Sequence, residues 1–110
     1  QPAEPQPECD VYVLHQGEPA ARAAMRLAED LRDAGLDVVL HCGGGSFKSQ
    51  MKRADGSGAE YAVILGEDEL AEGAASVKAL RAEGVAQRRV AMAELPALLV
   101  EELVRTGGPE

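Results

Sequence analysis

Aromatic side chains are scarce in this sequence. Tryptophan is absent, and two tyrosines and one phenylalanine account for 3% of its 110 residues. Proteins that capture unpaired bases on a sheet surface stack them on several aromatic rings. The composition therefore excludes recognition of single-stranded nucleic acid that is driven mainly by aromatic stacking.

Long apolar runs are also missing. The longest runs, such as Tyr61–Leu65, have about five residues, whereas a membrane-spanning helix needs about 20. The first ten residues are polar and rich in proline, and they lack the basic start and apolar centre of a signal peptide. We therefore expect a soluble, cytoplasmic chain without membrane contact.

Positive charge is in the minority. The sequence has 11 Lys and Arg residues against 19 Asp and Glu residues, so the net charge is −8 and the pI is about 4.7. This balance argues against broad electrostatic binding to nucleic acid or to an anionic membrane. The charges are segregated, because Lys48, Lys52 and Arg53 share one segment while residues 67–72 form an acidic block. A polyanion would therefore have to bind locally, at the basic segment.

The length suits a single domain, because independently folding units cluster near this size. Residues 1–9 contain three prolines and no periodicity, so we predict a linker or a disordered segment there. Residues 105–110 include two glycines and a proline and are predicted to form a disordered tail. The domain itself is expected to span residues 10–104.

Apolar periodicity predicts strands that alternate with helices. Short aliphatic runs indicate five strands, the last two of them at sheet edges: Val11–Leu14, Leu36–Leu40, Tyr61–Leu65, Ser76–Leu80 and Arg89–Met92. Helical spacing indicates helices at 19–34, at 47–54 behind a Ser46 cap, for one or two turns within 66–73, and at 95–103. This alternation is typical of an α/β sandwich whose first three strands are parallel.

Two cysteines and two histidines raise the question of a metal site. Cys9 and His15 stand at opposite ends of the first predicted strand, about 20 Å apart, and cannot share one ion. His15, His41 and Cys42 share one sheet edge, but neighbouring side chains at 41 and 42 point to opposite faces. We therefore favour two reduced structural thiols over a zinc site or a cysteine nucleophile, and we expect no metal.

The most specific local feature is a glycine run, Gly43–Gly45, between a predicted strand and a predicted helix. Backbone amides at such a turn can face an anion, the helix N-terminus adds partial positive charge, and Lys48 and Lys52 follow one turn apart. The run fits neither a Walker loop nor a dinucleotide-binding fingerprint. Two interpretations remain, a phosphate-binding corner and a flexible structural turn, and the basic charge favours the first.

An acidic segment follows the third predicted strand, at the sheet edge where open α/β sheets place ligands. Glu67, Asp68 and Glu69 can complement the start of a helix, or accept hydrogen bonds from the Watson–Crick edge of a base. Catalysis is disfavoured, because His15 is the only nearby candidate base and a lone histidine at a strand end is more often a polar cap. We expect no catalytic residue in the chain.

Several segments together resemble one family: Tyr12–Gly17, Leu31–Leu36, Gly43–Asp55, Gly58–Leu70 and Val77–Lys78. In this order they are similar to the C-terminal anticodon-binding domain of bacterial histidyl-tRNA synthetases, which are class II aminoacyl-tRNA synthetases. The resemblance covers about residues 10–104. It implies an α/β three-layer sandwich, in which a five-stranded mixed sheet carries helices on both faces.

The resemblance also implies which residues meet the anticodon. It places the RNA over the glycine turn and the helix after it, and near the edge between Gly66 and Lys78. The chain departs from the family where residues 81–87 replace a shorter turn, in which Gln87 is the candidate counterpart of a glutamine. Carried over position by position, the resemblance implies Lys48, Gln50, Arg53, Glu69 and Lys78. Together with the glycine turn, its cap and the second lysine, the predicted RNA-binding residues are Gly43, Gly44, Gly45, Ser46, Lys48, Gln50, Lys52, Arg53, Glu69 and Lys78.

The implied function is recognition of the anticodon stem-loop of a tRNA, for a histidine–tRNA ligase whose catalytic domain belongs to the same polypeptide. That catalytic domain would use ATP and Mg²⁺, and the parent enzyme would form a homodimer. This chain alone would bind no cofactor and have no ligase activity. Two other hypotheses stay open: a small α/β domain that binds a nucleotide or another anion at the glycine turn, and a protein-interaction domain without an RNA role.

Overall fold

The structure, a computed structural model, describes residues 10–41, 46–80 and 87–106, the last three by their backbone alone. This part contains five strands, β1 Val11–His15, β2 Val38–Leu40, β3 Tyr61–Leu65, β4 Ala74–Ala79 and β5 Arg88–Ala91. It also contains four α-helices, α1 Glu18–Asp33, α2 Phe47–Gly56, α3 Glu67–Glu72 and α4 Leu95–Thr106, with a 3₁₀ turn at Met92–Glu94. The predicted order of strands and helices is confirmed.

The strands form one sheet in the order β2-β1-β3-β4-β5. β1 runs parallel to β2 and β3, as predicted, while β4 is antiparallel to β3 and β5 to β4. The prediction that the fourth strand is an edge is wrong, because β5 pairs along its outer side and β2 and β5 are the edges. β4 also begins at Ala74, before the predicted Ser76, because Gly73 adopts a left-handed conformation (φ 68°) that ends α3.

One face of the sheet is covered by α1 and α4. Leu27 and Leu31 of α1, together with Leu95 and Leu99 of α4, are buried in one cluster with residues of β1, β3 and β4. Leu70 of α3 packs against the same cluster. The larger of the two described hydrophobic clusters therefore lies between the sheet and these helices.

The opposite face is covered by α2. Ala54 is fully buried and Phe47 and Met51 are partly buried against a second cluster on β1 and β3, so the predicted apolar stripe of this helix is confirmed. Ser46 caps the helix as predicted, because its Oγ accepts the backbone N–H of Ser49 at 3.2 Å. Helices thus cover both faces, and the three-layer sandwich is confirmed.

The turn after α1 connects this helix to the edge strand β2. Gly35 has a φ of 97°, and its N–H donates to the carbonyl of Arg32 at 2.9 Å. The N–H of Leu36 donates to the carbonyl of Leu31 at 3.2 Å, which completes a Schellman cap. The predicted glycine stop is therefore confirmed, and it sets the direction of the chain into β2.

The last helix is longer than predicted. α4 continues to Thr106, past the domain end predicted at residue 104, while the predicted linker at 1–9 and residues 107–110 lie outside the described residues. Over the described part of the chain, the helices are too short and too polar to cross a bilayer.

Leu27→Ala should destabilise the domain by about 2–5 kcal/mol, because it leaves a cavity in a small aliphatic core. Met25→Ala is the matched control, since Met25 lies on the same helix with 57% of its surface exposed, and it should change the free energy of unfolding by less than about 0.5 kcal/mol. Urea denaturation of both variants measures the difference. Equal midpoints would contradict the orientation of α1.

Candidate nucleic-acid interface

The exposed face of α2 carries the basic segment. Lys48, Lys52 and Arg53 are all exposed, while Gln50 and Ala54 of the same helix are buried. Lys48 and Lys52 are one turn apart, so their side chains lie next to each other along the helix. The structure thus gathers three of the predicted RNA-binding side chains on one helix.

Two further cations lie on the α2 side of the sheet. Lys78 is exposed and stands opposite Ala62, which belongs to the cluster under α2. Arg89 stands opposite Ser76, and Ser76 stands opposite Ile64 of the same cluster. Paired residues on neighbouring strands point to the same face. Lys78 and Arg89 therefore lie on the same side of the sheet as the cations of α2.

Gln50 is buried instead of facing solvent, with 1% of its surface exposed. Its Oε1 accepts the backbone N–H of His15 at 3.1 Å, and its Nε2 donates to the backbone carbonyl of His15 at 2.9 Å. The last paired residue of β2 is Leu40, which stands opposite Val13. Gln50 therefore forms hydrogen bonds with the backbone at the end of β1, beyond the point where β2 ends. The Gln50 side chain therefore contacts protein groups in the interior rather than solvent.

The sequence contained a signal for this buried position. Residue 50 belongs to the same helical stripe as Phe47, Met51 and Ala54, because these positions follow the spacing i, i+3, i+4 and i+7. A polar residue in such a stripe faces the protein and needs a buried partner. The resemblance led instead to a prediction of RNA contact.

The two histidines contact protein groups rather than a common metal position. The hydroxyl of Tyr12 lies 2.8 Å from Nδ1 of His41, and Nε2 of His15 lies 3.0 Å from the carbonyl oxygen of His41. Across 10–41, 46–80 and 87–106, no three His, Cys, Asp or Glu residues are grouped so that they could hold a metal ion. Cys9, Cys42 and Gly43–Gly45 lie outside the described residues.

Glu69 is the most constrained of the predicted site residues. Its Oε1 accepts the backbone N–H of Gly66 at 2.9 Å, and its Oε2 accepts the hydroxyl of Ser76 at 2.8 Å. The guanidinium Nη2 of Arg89 lies 3.4 Å from the same Oε2. Glu69 is only 9% exposed, so α3, β4 and β5 meet at one buried carboxylate.

The hydrogen bonds keep this carboxylate ionised. Burial alone raises the pKa of Glu69, but the hydroxyl of Ser76, the backbone N–H groups of Glu69 and Gly66, and the charge of Arg89 outweigh it and hold the pKa below its ordinary value of 4.5. The stabilisation from this ionised group is therefore present above pH 4.5 and is lost as the pH falls through the lowered pKa.

A side chain at Gly66 would disturb the Glu69 carboxylate. A Cβ at this position would lie 2.9 Å from Oε1 of Glu69 and 3.5 Å from Cζ of Phe47. The backbone of Gly66 is extended (φ −113°), so its conformation would suit other residues. Glycine at this position thus allows the close approach of the Glu69 carboxylate.

A cleft of about 490 Å³ lies at the carboxyl ends of β1 and β3. These two strands are neighbours, although the chain passes through β2 between them, so the cleft is at the topological switch point of the sheet. Glu67 and Asp68 are exposed at its rim and Glu69 is buried in its wall. The cleft is lined by Gln16, Gly17, Phe47, Gly66, Glu67, Asp68 and Glu69.

Ser76 and Arg89 are residues of the site that sequence reasoning missed. Ser76 interrupts a buried apolar run on β4, and a buried hydroxyl requires a partner, so the sequence held a weak signal. Arg89 is 20 residues from Glu69 along the chain. Their contact depends on the pairing of β4 with β5, which no local pattern reveals.

Comparison with known proteins agrees with this geometry. Residues 9–102 match the family described as the anticodon binding domain. The chain is 58% identical over 104 residues to the histidine–tRNA ligase of Dechloromonas aromatica, covering 94% of this chain and 24% of that protein. It is 62% identical over 96 residues to the histidine–tRNA ligase of Bordetella avium, covering 84% of this chain and 22% of that protein. The chain thus spans about a quarter of the length of the curated relatives it matches.

The same likeness holds in three dimensions. The chain superposes on the crystal structure of histidyl-tRNA synthetase from Nostoc sp. PCC 7120 with a TM-score of 0.78 and 28% identity, covering 87% of this chain and 23% of that one. The resemblance seen in the sequence is therefore confirmed by a family match, by curated relatives and by a solved structure. The chain belongs to the anticodon-binding domain family, in the form that histidyl-tRNA synthetases carry.

Proposed function

We propose that the chain binds the anticodon stem-loop of a histidine tRNA, as the recognition domain of a histidine–tRNA ligase. The observation that carries the proposal is the placement of an exposed basic helix, α2, beside a cleft with an ionised carboxylate in its wall. Phosphate contacts position a nucleic acid, and contacts to base edges select its sequence. The two parts of the interface supply these two kinds of contact.

Phosphate binding falls to the exposed cations. Lys48, Lys52 and Arg53 on α2 and Lys78 on β4 are exposed on one side of the sheet. We keep the amides of the glycine turn, Gly43–Gly45, as additional phosphate contacts, since they precede the Ser46 cap of α2. A cluster of this kind allows local binding by a chain whose net charge is −8.

Base reading falls to Glu69. Its carboxylate lies in the wall of the cleft, where contacts from Gly66, Ser76 and Arg89 hold it. A carboxylate oxygen can accept more than one hydrogen bond, so an N–H group of a base held in the cleft can donate to it. Gln50 then acts indirectly, because it ties α2 to β1 beside the cleft.

The rest of the ligase would lie elsewhere on the same polypeptide. We propose that a catalytic domain there uses ATP and Mg²⁺, and that the whole enzyme works in the cytoplasm as a homodimer. The described residues of this domain contain no cluster of His, Cys, Asp or Glu suited to a metal ion. This domain would position the tRNA so that its distant acceptor end reaches catalysis.

Replacing both Lys48 and Lys52 by Ala should weaken binding of the anticodon hairpin and lower its salt slope by up to about two units, one for each lost phosphate contact. The matched control is the double replacement of Arg22 and Arg26 by Ala, which removes the same charge from exposed positions of α1. Titrations of the hairpin at several salt concentrations measure the slope. Equal slopes for the two double variants would show that α2 is not part of the interface. In a separate titration, binding of mononucleotides instead of the hairpin would favour a nucleotide-binding site.

Glu69→Gln should lower discrimination between the cognate hairpin and a single-base variant by about 1–3 kcal/mol, the usual contribution of one base pair or base contact. If Glu69 only caps α3, both hairpins should be affected equally. Glu29→Gln on α1 removes the same charge from an exposed position and serves as the control. The measurement is a pair of binding curves for each variant at fixed salt, and an unchanged ratio would exclude base reading by Glu69.

Gln50→Leu should destabilise the domain by about 2 kcal/mol, because it leaves the partly buried N–H and carbonyl of His15 without these side-chain partners. Leucine has a similar size, so little of this loss would come from a cavity. Chemical denaturation measures the loss. Wild-type stability combined with weaker RNA binding would mean that Gln50 contacts the RNA instead.

A further inference from the structure

We propose that Arg89 is a positioning residue of the RNA-binding site, which holds the Glu69 carboxylate in the wall of the cleft and thereby controls base selection. This inference rests on the proposed function, in which Glu69 accepts a hydrogen bond from a base. It assigns a role in specificity to a residue on the edge strand β5. Arg89 itself is not proposed to touch the base.

The first observation is the geometry of the guanidinium. Its Nη2 lies 3.4 Å from Oε2 of Glu69, and its Nη1 lies 3.0 Å from Oε1 of Glu72. The rigid fork of an arginine therefore bridges two carboxylates of α3 that are three residues apart. Since Ser76 also donates to Oε2 of Glu69, this oxygen is held from β4 and from β5 at once.

The second observation is the charge around the cleft. Glu67 and Asp68 are exposed at its rim and Glu69 is buried in its wall, so the cleft by itself repels a phosphate backbone. The hydrogen bond to Glu72, opposed in part by desolvation and reinforced by the charges of Glu72, Glu69 and Asp68, raises the pKa of Arg89. One guanidinium thus offsets the acidic start of α3 without occupying the cleft.

The third observation concerns what remains when Arg89 is removed. Glu69 would keep its bonds to Gly66 and Ser76, but it would lose the cation beside Oε2. The carboxyl group would then be less firmly oriented, and its pKa would rise. Either change weakens the carboxylate as a hydrogen-bond acceptor for a base.

The neighbouring arginine provides a matched control. Arg88 is next to Arg89 on β5 and is exposed to a similar extent, with 44% of its side-chain surface accessible against 41%. Its Nη2 contacts Glu102 of α4 at 2.9 Å, on the opposite face of the sheet. Loss of Arg88 removes the same charge from the same strand without touching Glu69.

The test compares Arg89→Ala with Arg88→Ala in the full-length ligase, by the ratio of binding constants for the cognate anticodon stem-loop and a single-base variant. One base contact corresponds to roughly a 5- to 150-fold ratio, so Arg89→Ala should lower the ratio by about fivefold or more. Arg88→Ala should leave it unchanged. In the 110-residue chain, carboxyl NMR should show the titration midpoint of Glu69 moving upward in Arg89→Ala and not in Arg88→Ala.

The outcomes separate this proposal from the function on which it rests. If the wild-type protein does not prefer the cognate hairpin, the proposed function fails. If it does and Glu69→Gln lowers the ratio while Arg89→Ala behaves like Arg88→Ala, only the role of Arg89 is overturned. Arg89→Lys keeps the charge but replaces the rigid fork of two nitrogens by one flexible ammonium group, so it should lose part of this discrimination ratio. A wild-type ratio in that variant overturns the proposal even if Arg89→Ala does not fold.

Discussion

The buried carboxylate of Glu69 is the interaction on which the site depends. A charge that leaves water is tolerated only when it is paired and hydrogen-bonded, and here each requirement is met by a different element. The N–H at the start of α3, a hydroxyl on β4 and a guanidinium on β5 all converge on it. Because the carboxylate approaches Gly66 so closely, a side chain at this turn after β3 would displace it.

A second buried polar group fixes the other side of the cleft. Gln50 joins α2 to the end of β1 through two hydrogen bonds to His15, at the point where β2 no longer pairs. Glu69 and Gln50 therefore hold α3 and α2 in place on either side of the sheet's switch point. The exposed lysines of α2 project from a helix that is already oriented, so less conformational entropy is lost when they meet a phosphate.

The sequence predicted what depends on local patterns and missed what depends on distant pairs. Apolar spacing was sufficient for the order of elements, the stripe of α2, and the Ser46 cap. It placed the fourth strand at an edge because the neighbours of a strand are set by partners elsewhere, here Arg88–Ala91. Gln50 contacts His15, 35 residues away, and Glu69 contacts Arg89, 20 residues away. The sequence shows that these side chains are polar, but it does not show whether their partners are protein or RNA.

The arrangement also explains how an acidic chain can present a surface to a polyanion. At physiological salt, exposed charges are largely screened beyond about 8 Å, so the net charge of −8 acts weakly on a bound phosphate compared with the side chains that touch it. The acids nearest the interface are those of α3, and two of them are paired with Arg89. The cations of α2 lie beside the cleft rather than inside it. In the proposed RNA site, attraction of the phosphate backbone and selection of a base would thus be separated in space, which would allow a carboxylate to serve there.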